Sequence, residues 1–287
     1  ETDARGPYTG SIGVWGPGRR AEFNVSIRTA VIDPQSGRAE YGTGGGIVWD
    51  SRAAEERAET RWKAAVAASS RRPRDFDLLE TMLWTPERGF VLRERHLARL
   101  LDSADYFGFA AAETRLRGLL RRLESAWRAR DGGAHVLRLR LDRSGQVRWR
   151  SRPAPPPPVS PWEVALARDP VDPADGLLYH KTTRRHLYAR ARRAAGPGVA
   201  DVLLWNRRGE LTESTIANLV LEWGATAWTP PIACGVLPGT MRADLLASGR
   251  MRERTLTVED LSRAERAWLV NSVRGWIPIR VARRSPL

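Results

Sequence analysis

The sequence predicts an α+β protein in two regions, and three observations carry that prediction. Segments that alternate apolar and polar residues, as half-buried strands do, are interspersed with segments of helical composition. Residues 1–68 are rich in glycine and β-formers, whereas residues 76–287 mix strands with helices. Between them, residues 69–75, with Arg71-Arg72-Pro73-Arg74, read as a linker. A stiff run, Pro155–Pro158, divides the second region into sub-regions of about 76–151 and 162–287.

In the first region, Phe23 to Ile32 alternates apolar and polar residues and predicts one half-buried strand. Asp33-Pro34-Gln35-Ser36-Gly37 is a turn, so the segment reads as a hairpin. Gly44-Gly45-Gly46 leads to an expected strand end at Ile47-Val48-Trp49, and residues 51–68 have helical composition with charges on one face. In the second region a short strand is expected at Phe76–Trp84, a turn around Pro86–Gly89, and helices over 94–107 and 111–130. Strands are expected at 135–141 and 146–150. Beyond the prolines, strands at 164–168, 200–205, 217–222, 226–229 and 267–270 mix with helices at 182–194, 239–248 and 259–264.

Composition excludes several classes. At 287 residues with 42% hydrophobic side chains, the chain is too long for a stapled mini-protein and too apolar for a disordered one. A single cysteine, Cys234, forbids an internal disulfide or a cysteine-cluster metal site, and fits a reducing, cytoplasmic compartment. No apolar stretch of about 18 residues predicts a membrane span. Glu1-Thr2-Asp3 carries no signal-peptide pattern and no initiator methionine, so the chain is expected to start inside a longer protein. The net charge of +14 raises the question of nucleic acid. The arginines are scattered on helical faces among acids, with no domain-wide stripe of interleaved aromatics, so a nucleic-acid partner is not expected. Of 47 basic residues only Lys63 and Lys181 are lysines. Arginine cannot be deprotonated in proteins, so a lysine that persists in such a chain is a candidate for lysine chemistry.

Lys181 stands in Tyr179-His180-Lys181-Thr182-Thr183-Arg184-Arg185, between a loop and a helix. About thirty residues on come Thr212-Glu213 and Asn218. Cys234 to Arg242 then forms a glycine-containing turn feeding a helix whose free N–H groups suit a phosphate. His96-Leu97-Ala98-Arg99-Leu100 offers an arginine on a helix face. Alone, Glu213 reads as a cap or a solvated face. In this order, lysine, acid, arginine and helix start are what a pyridoxal phosphate site needs: an amine for the aldehyde, an acid for the pyridine nitrogen, and donors for the phosphate.

On these residues the second region resembles the class IV (fold type IV) aminotransferase superfamily, and within it the 4-amino-4-deoxychorismate lyase branch. The matching motifs are Phe76–Thr81, His96–Leu100, Ser103–Phe109, Lys181-Thr182-Thr183, Thr212-Glu213 with Asn218, Gly235–Arg242, and Asn271-Ser272-Val273-Arg274-Gly275. The resemblance implies that Lys181 is the Schiff-base lysine and proton shuttle and that Glu213 pairs with the pyridine nitrogen. Arg99 and the backbone of Thr240 and Met241 would bind phosphate, with Ser272 nearby. It also implies a two-subdomain fold, a cleft between the subdomains, and a homodimer. Two departures, Met241 where transaminases usually carry threonine and His186 where they carry tyrosine, tilt the expectation toward the lyase rather than transamination of branched-chain or D-amino acids.

The first region holds a second constellation: Tyr8 with Gly10, Arg28, Gly44-Gly45-Gly46, and Glu56-xx-Glu59-xxx-Lys63. The last spacing puts both acids and the lysine on one helix face. By itself it reads as a charged helix with an i,i+4 ion pair. As a set, residues 1–68 resemble the C-terminal end of chorismate-utilising enzymes, the anthranilate and aminodeoxychorismate synthase component I family. The resemblance implies Tyr8, Arg28 and Gly46 as chorismate-binding positions, Lys63 as a substrate contact, and Glu59 with Glu56 as metal ligands. Only a tail of that fold is represented, so synthase activity, Mg²⁺ binding and a glutamine amidotransferase partner are expected only where the remaining synthase portion is supplied. The whole chain is thus expected to be the end of a synthase–lyase fusion. It would release 4-aminobenzoate and pyruvate from aminodeoxychorismate in folate biosynthesis, the alternatives being a transaminase or a catalytically incomplete fragment.

Overall fold

The computed structural model describes residues 5–68, 76–130 and 133–282. The chain separates into two units, Glu1–Arg74 and Asp75–Leu287.

In the first unit, β1 (Ser11–Gly16) and β2 (Arg20–Val25) form an antiparallel hairpin. β3 (Ala30–Ile32) and β4 (Ala39–Tyr41) form another across the expected Asp33–Gly37 turn. Two expectations fail here. The run from Phe23 to Ile32 is two strands, because Ser26 turns back to bond Gly10 and Arg28 takes a left-handed φ of 52°. Ile47, Val48 and Trp49 are in no strand and are exposed. The helix is as expected: α1 spans Ala53–Ala68. Among the side chains described in this unit no apolar one is buried; Ile12, Val14, Trp15, Phe23 and Val25 all stand in solvent. Two-stranded hairpins of this kind bury little apolar surface by themselves.

The second unit opens with β5 (Leu78–Thr85), β6 (Gly89–Phe90), α2 (Arg93–Phe107), α3 (Glu113–Arg128), β7 (His135–Leu141) and β8 (Val147–Pro153). The strands make an antiparallel sheet ordered β6-β5-β7-β8. Leu78, Met82, Trp84, Leu137, Leu139 and Leu141 point from one sheet face into a core closed by Leu97, Leu100, Leu116, Leu120 and Trp127 of the two helices. That alternation follows from the two-residue period of a strand, and the helical contribution from the spacing of apolar residues on one helix face.

Beyond the proline connector come β9 (Trp162–Leu166), a 3₁₀ turn (Gly176–Tyr179), α4 (His186–Ala195), β10 (Asp201–Trp205), β11 (Leu211–Ser214), β12 (Asn218–Trp223) and β13 (Thr226–Thr229). They are followed by α5 (Thr240–Ala247), β14 (Arg252–Glu253), α6 (Asp260–Arg263), β15 (Arg266–Asn271) and β16 (Gly275–Val281). Their sheet runs β11-β10-β9-β16-β15-β12-β13-β14, and β11 also pairs with β12 through Glu213 and Asn218. That last pairing closes six strands into a barrel around Val164, Leu203, Leu211, Leu219, Leu269 and Ile277. The helix expected from residue 182 begins only at His186, because Leu79 and Thr183 donate backbone N–H groups to Lys181 and Asp77, which holds residues 181–183 extended beside β5. Strands β11 and β16 were not expected from local pattern; β11 is four residues long, and Pro278 breaks the look of β16.

Candidate active site

A cavity of about 260 Å³ lies between the small sheet and the barrel. Six residues singled out from the sequence border it together: Arg99, Lys181, Glu213, Thr240, Met241 and Ser272. Each comes from a different place for a local reason.

Lys181 is carried by the extended segment hydrogen-bonded to β5. Its neighbour His180 is locked behind it: Nδ1 lies 2.9 Å from the Ser103 hydroxyl, and the ring stacks on Tyr106 and meets Phe107 edge-on. Burial, then the positive charge of Arg99, lower the Lys181 pKa from 10.5 to about 8, against an opposing pull from Glu80. A larger fraction of the amine is therefore neutral, and nucleophilic, near neutral pH than for a solvated lysine.

Glu213 sits on β11 at the barrel's closing pair and is buried, not a solvated face. The Tyr188 hydroxyl donates to Oε1 at 3.0 Å, and Asn218 Nδ2 and the Leu237 N–H approach Oε2 at 3.3 Å. Burial raises its pKa to about 8, more than these donors and Lys181 lower it. A buried carboxyl so placed is waiting for a cationic partner.

The opposite end of the cavity collects anion donors. Arg99, on the inner face of α2, donates from Nε and Nη2 to the two oxygens of Glu80, each at 2.8 Å, and from Nη1 to the Pro238 carbonyl at 3.0 Å. His96, one turn earlier, donates from Nδ1 to Glu80 Oε2 at 2.7 Å. Its Nε2 lies 3.0 Å from the Ser272 hydroxyl and 3.2 Å from that of Thr240. Burial pushes the Glu80 carboxyl up, but Arg99 and His96 outweigh it and hold the acid well below the usual carboxylate range. Glu80 thus fixes the Arg99 guanidinium and the His96 ring behind the hydroxyls. α5 begins here with Gly239 as its N-cap, and its first backbone bond runs from the Ala243 N–H to the Gly239 carbonyl. The N–H groups of Thr240 and Met241 are left at the helix start, where anions are favoured. A Cβ on Gly239 would fall 1.8 Å from Asn218 Oδ1, so only glycine lets the turn approach Glu213's support.

These residues fit pyridoxal phosphate. The donor chemistry matches end to end: a depressed-pKa lysine for the aldehyde carbon, a buried acid for the pyridine nitrogen, and Arg99, two hydroxyls and a helix N-terminus for the phosphate. Lysine, acid and anion cup define a pyridoxal phosphate enzyme of the fold in which a small α/β sheet faces a barrel. The chain belongs to the class IV aminotransferase family, whose model matches residues 77–282. The chorismate binding enzyme family matches residues 1–69.

A Schizosaccharomyces pombe protein named "Putative aminodeoxychorismate lyase" is 29% identical over 206 residues, covering 69% of this chain and 86% of the relative. Among solved structures, a Mesorhizobium loti protein titled "Putative amino-acid aminotransferase" is 39% identical, with a TM-score of 0.67 over 72% of this chain and 100% of that one. The 4-amino-4-deoxychorismate lyase of Pseudomonas aeruginosa shares the fold at 24% identity, with a TM-score of 0.61 over 71% of this chain and 82% of its own.

Sequence reasoning left out three contributors. Glu80 was legible as an acid at the core-facing parity of a strand, between Leu78 and Met82. Tyr188, two residues after His186, brings a hydroxyl to Glu213 from the first turn of α4, while His186 itself is exposed. His96 was quoted in a motif without a role. Met241 borders the cavity and packs its side chain against the Val220 and Leu245 cluster.

In the first unit the Tyr8 ring lies over Gly42, where a Cβ would come within 2.4 Å of it. Lys63 Nζ donates to the Gly44 carbonyl at 3.0 Å and pairs with Glu59 at 2.8 Å. Glu56 accepts from the Ser51 hydroxyl at 2.7 Å and borders Gly45. Tyr8, the glycine run, Glu56, Glu59 and Lys63 therefore form one neighbourhood. Arg28 and Gly46 are exposed. Among the described residues no three His, Cys, Asp or Glu side chains gather as a metal site. Glu59 makes the i,i+4 ion pair that its spacing allowed. No helix among the described residues is long and apolar enough to cross a membrane.

Proposed function

We propose that residues 76–282 act as a 4-amino-4-deoxychorismate lyase, forming 4-aminobenzoate and pyruvate in folate biosynthesis, as a homodimer in the cytoplasm. The observation that carries the lyase over other class IV activities is the chain's own order: a chorismate-binding family match directly precedes the class IV domain. The 29% identical S. pombe relative supports it. Aminotransfer remains the second reading, favoured by the name of the 39% identical M. loti protein. Residues 5–68 have no synthase turnover of their own in this reading. Mg²⁺ at Glu56 and Glu59, chorismate at Tyr8, Arg28, Gly46 and Lys63, and a glutamine amidotransferase partner belong to the longer synthase fold.

Pyridoxal phosphate, when bound, supplies an aldehyde that condenses with amines and a ring that takes up the electron pair left by a departing proton. The protein supplies the rest. Arg99, Ser272 and the start of α5 would hold the phosphate. Glu213 would pair with the pyridine nitrogen, and Tyr188 and Asn218 keep Glu213 in place. Lys181, whose lowered pKa leaves it more readily neutral, would serve as the base that takes the proton from the substrate ring carbon bearing the amine. Cleavage of the ring C–O bond to the enolpyruvyl group would then aromatise the ring, and the released enol, on taking a proton back at its methylene carbon, is pyruvate. After reconstitution with cofactor, pyruvate release from aminodeoxychorismate is expected to exceed amino transfer to 2-oxoglutarate. Lys181→Ala should lose the cofactor's lysine-linked absorbance band and turnover together; a variant that keeps both rules out this assignment.

A further inference from the structure

The hairpin of β7 and β8 carries Arg138 and Arg140 on one strand and Arg148, Arg150 and Arg152 on the other. The two-residue period sends Leu137, Leu139 and Leu141 into the core and all five arginines to the opposite sheet face. The register sets Arg138 against Arg150 and Arg140 against Arg148. Like charges directly opposite each other destabilise a sheet. Arg140 is relieved by Asp77 at 2.7 Å, and Arg148 by Gln146 and, more distantly, Asp142. Arg138, Arg150 and Arg152 have no ion-pair or hydrogen-bond partner among the described residues.

This face looks into the active-site cavity. Arg138 and Arg152 border it, and across it stand Arg185, over the Tyr188 ring and bonded to the Thr215 carbonyl, and Arg274, over the Trp162 ring. The four feel one another. After burial, it is Arg185, Arg140, Arg150 and Arg152 that lower the Arg138 pKa, and Arg152 that lowers that of Arg274. Glu213 is the only acid bordering the cavity among the described residues, and it is occupied with Tyr188 and Asn218. In a chain this rich in arginine the residue type says little. The placement says more: four unneutralised guanidinium groups converge on one opening, where they repel each other until an anion enters.

We propose that Arg138 and Arg152, with Arg185 and Arg274 opposite, form a carboxylate subsite that selects cyclic substrates carrying two carboxylates over monocarboxylate amino acids. The inference deepens the lyase reading and rests on it for the identity of the amine. Planar guanidinium groups pair bidentately with carboxylates, and two pairs of them can hold two carboxylates at once. A monocarboxylate uses half of the subsite and leaves the rest unpaired, which is the basis of discrimination.

The test uses the holoenzyme and two unreactive probes, chorismate as the cyclic dicarboxylate and benzoate as the monoanion, with binding followed by tryptophan fluorescence. Wild type is expected to prefer chorismate by about 100-fold, and Arg138→Gln/Arg152→Gln to lose about 10- to 100-fold in chorismate affinity. Benzoate binding should change less than about threefold and the cofactor spectrum should stay unchanged. Arg138→Lys/Arg152→Lys should recover part of the loss, and Arg150→Gln, on the same face but outside the cavity, should bind chorismate as wild type does. Should the double variant perturb the cofactor spectrum, Arg152→Gln alone gives the reading. Chorismate affinity within about twofold of wild type in the glutamine variants, or an equal loss in Arg150→Gln, overturns the subsite. So does salt-dependent DNA binding that is lost with all five arginines while chorismate binding is kept. Because the probes do not react, the two readings fail separately. Arginine-dependent chorismate binding in an enzyme that only transfers amino groups keeps the subsite and removes the lyase; pyruvate release with an unchanged KM in the double variant does the reverse.

Discussion

At the scale of single residues, the site is built from groups that burial holds away from their solution behaviour. Glu213 illustrates the cost. Its pKa is about 8 in the folded protein against 4.5 for a free carboxyl, so above pH 4.5 the folded state keeps a proton that the unfolded chain gives up. Stability of the cofactor-free protein from this group therefore falls as pH rises from 4.5 to about 8, and levels beyond. Glu213→Gln removes that liability. The cofactor-free variant is expected to be more stable than wild type at pH 8, by a few kcal/mol at most, and nearly equal to it at pH 5. Urea titrations at the two pH values check this. The same variant should bind cofactor more weakly, because the carboxylate that matches the pyridine nitrogen is gone. Lys181 is the complementary case: burial and Arg99 free its proton, which is the state that reacts with an aldehyde.

At the scale of elements, α5 and β5 hold the cofactor cup. The start of α5 reaches the cavity because Gly239 tolerates Asn218 Oδ1 where any side chain would collide with it. Gly239→Ala must push away Asn218, and with it the support of Glu213 and the Leu237 carbonyl to which Asn218 Nδ2 donates. A loss of about 1–3 kcal/mol is expected, with a weaker cofactor complex even where the fold survives. Denaturant unfolding and cofactor titration measure the two effects separately. β5 contributes from both faces: Leu79 and Thr81 border the cavity, while Glu80 on the core side anchors His96 and Arg99 of α2. A buried acid bonded to both a guanidinium and an imidazole is a positioning device, since losing one partner leaves the carboxylate under-compensated.

At the scale of the whole chain, the apolar core lies within residues 76–282, where every buried apolar side chain among the described residues is found. A protein comprising residues 76–287 alone is expected to unfold cooperatively and bind cofactor as the full chain does, whereas residues 1–68 alone should lack a cooperative transition. Circular dichroism melts of the two pieces check this, and a cooperative transition in the shorter piece contradicts it. Much of the second unit was readable from local signals. Helices α2 and α3 and strands β5 and β7 fall close to where the sequence predicts them, and the scarcity of lysine singled out Lys63 and Lys181. The first unit was less readable, because its alternating run pairs only within small hairpins and its Ile47-Val48-Trp49 segment joins no strand. The arginines of the helices are scattered among acids, whereas those of β7 and β8, two apart on strands, make a single face. Sequence alone determined which residue types stand in which order, and that was enough to pair Lys181 with Glu213, Arg99 and the α5 turn. Tertiary structure decided their meeting in one cavity. It also decided the burial that brings Lys181 and Glu213 both to about 8, and the cross-strand register that gathers unpaired arginines at the opening. Those depend on desolvation and on distances between residues far apart in the chain, which no local pattern encodes.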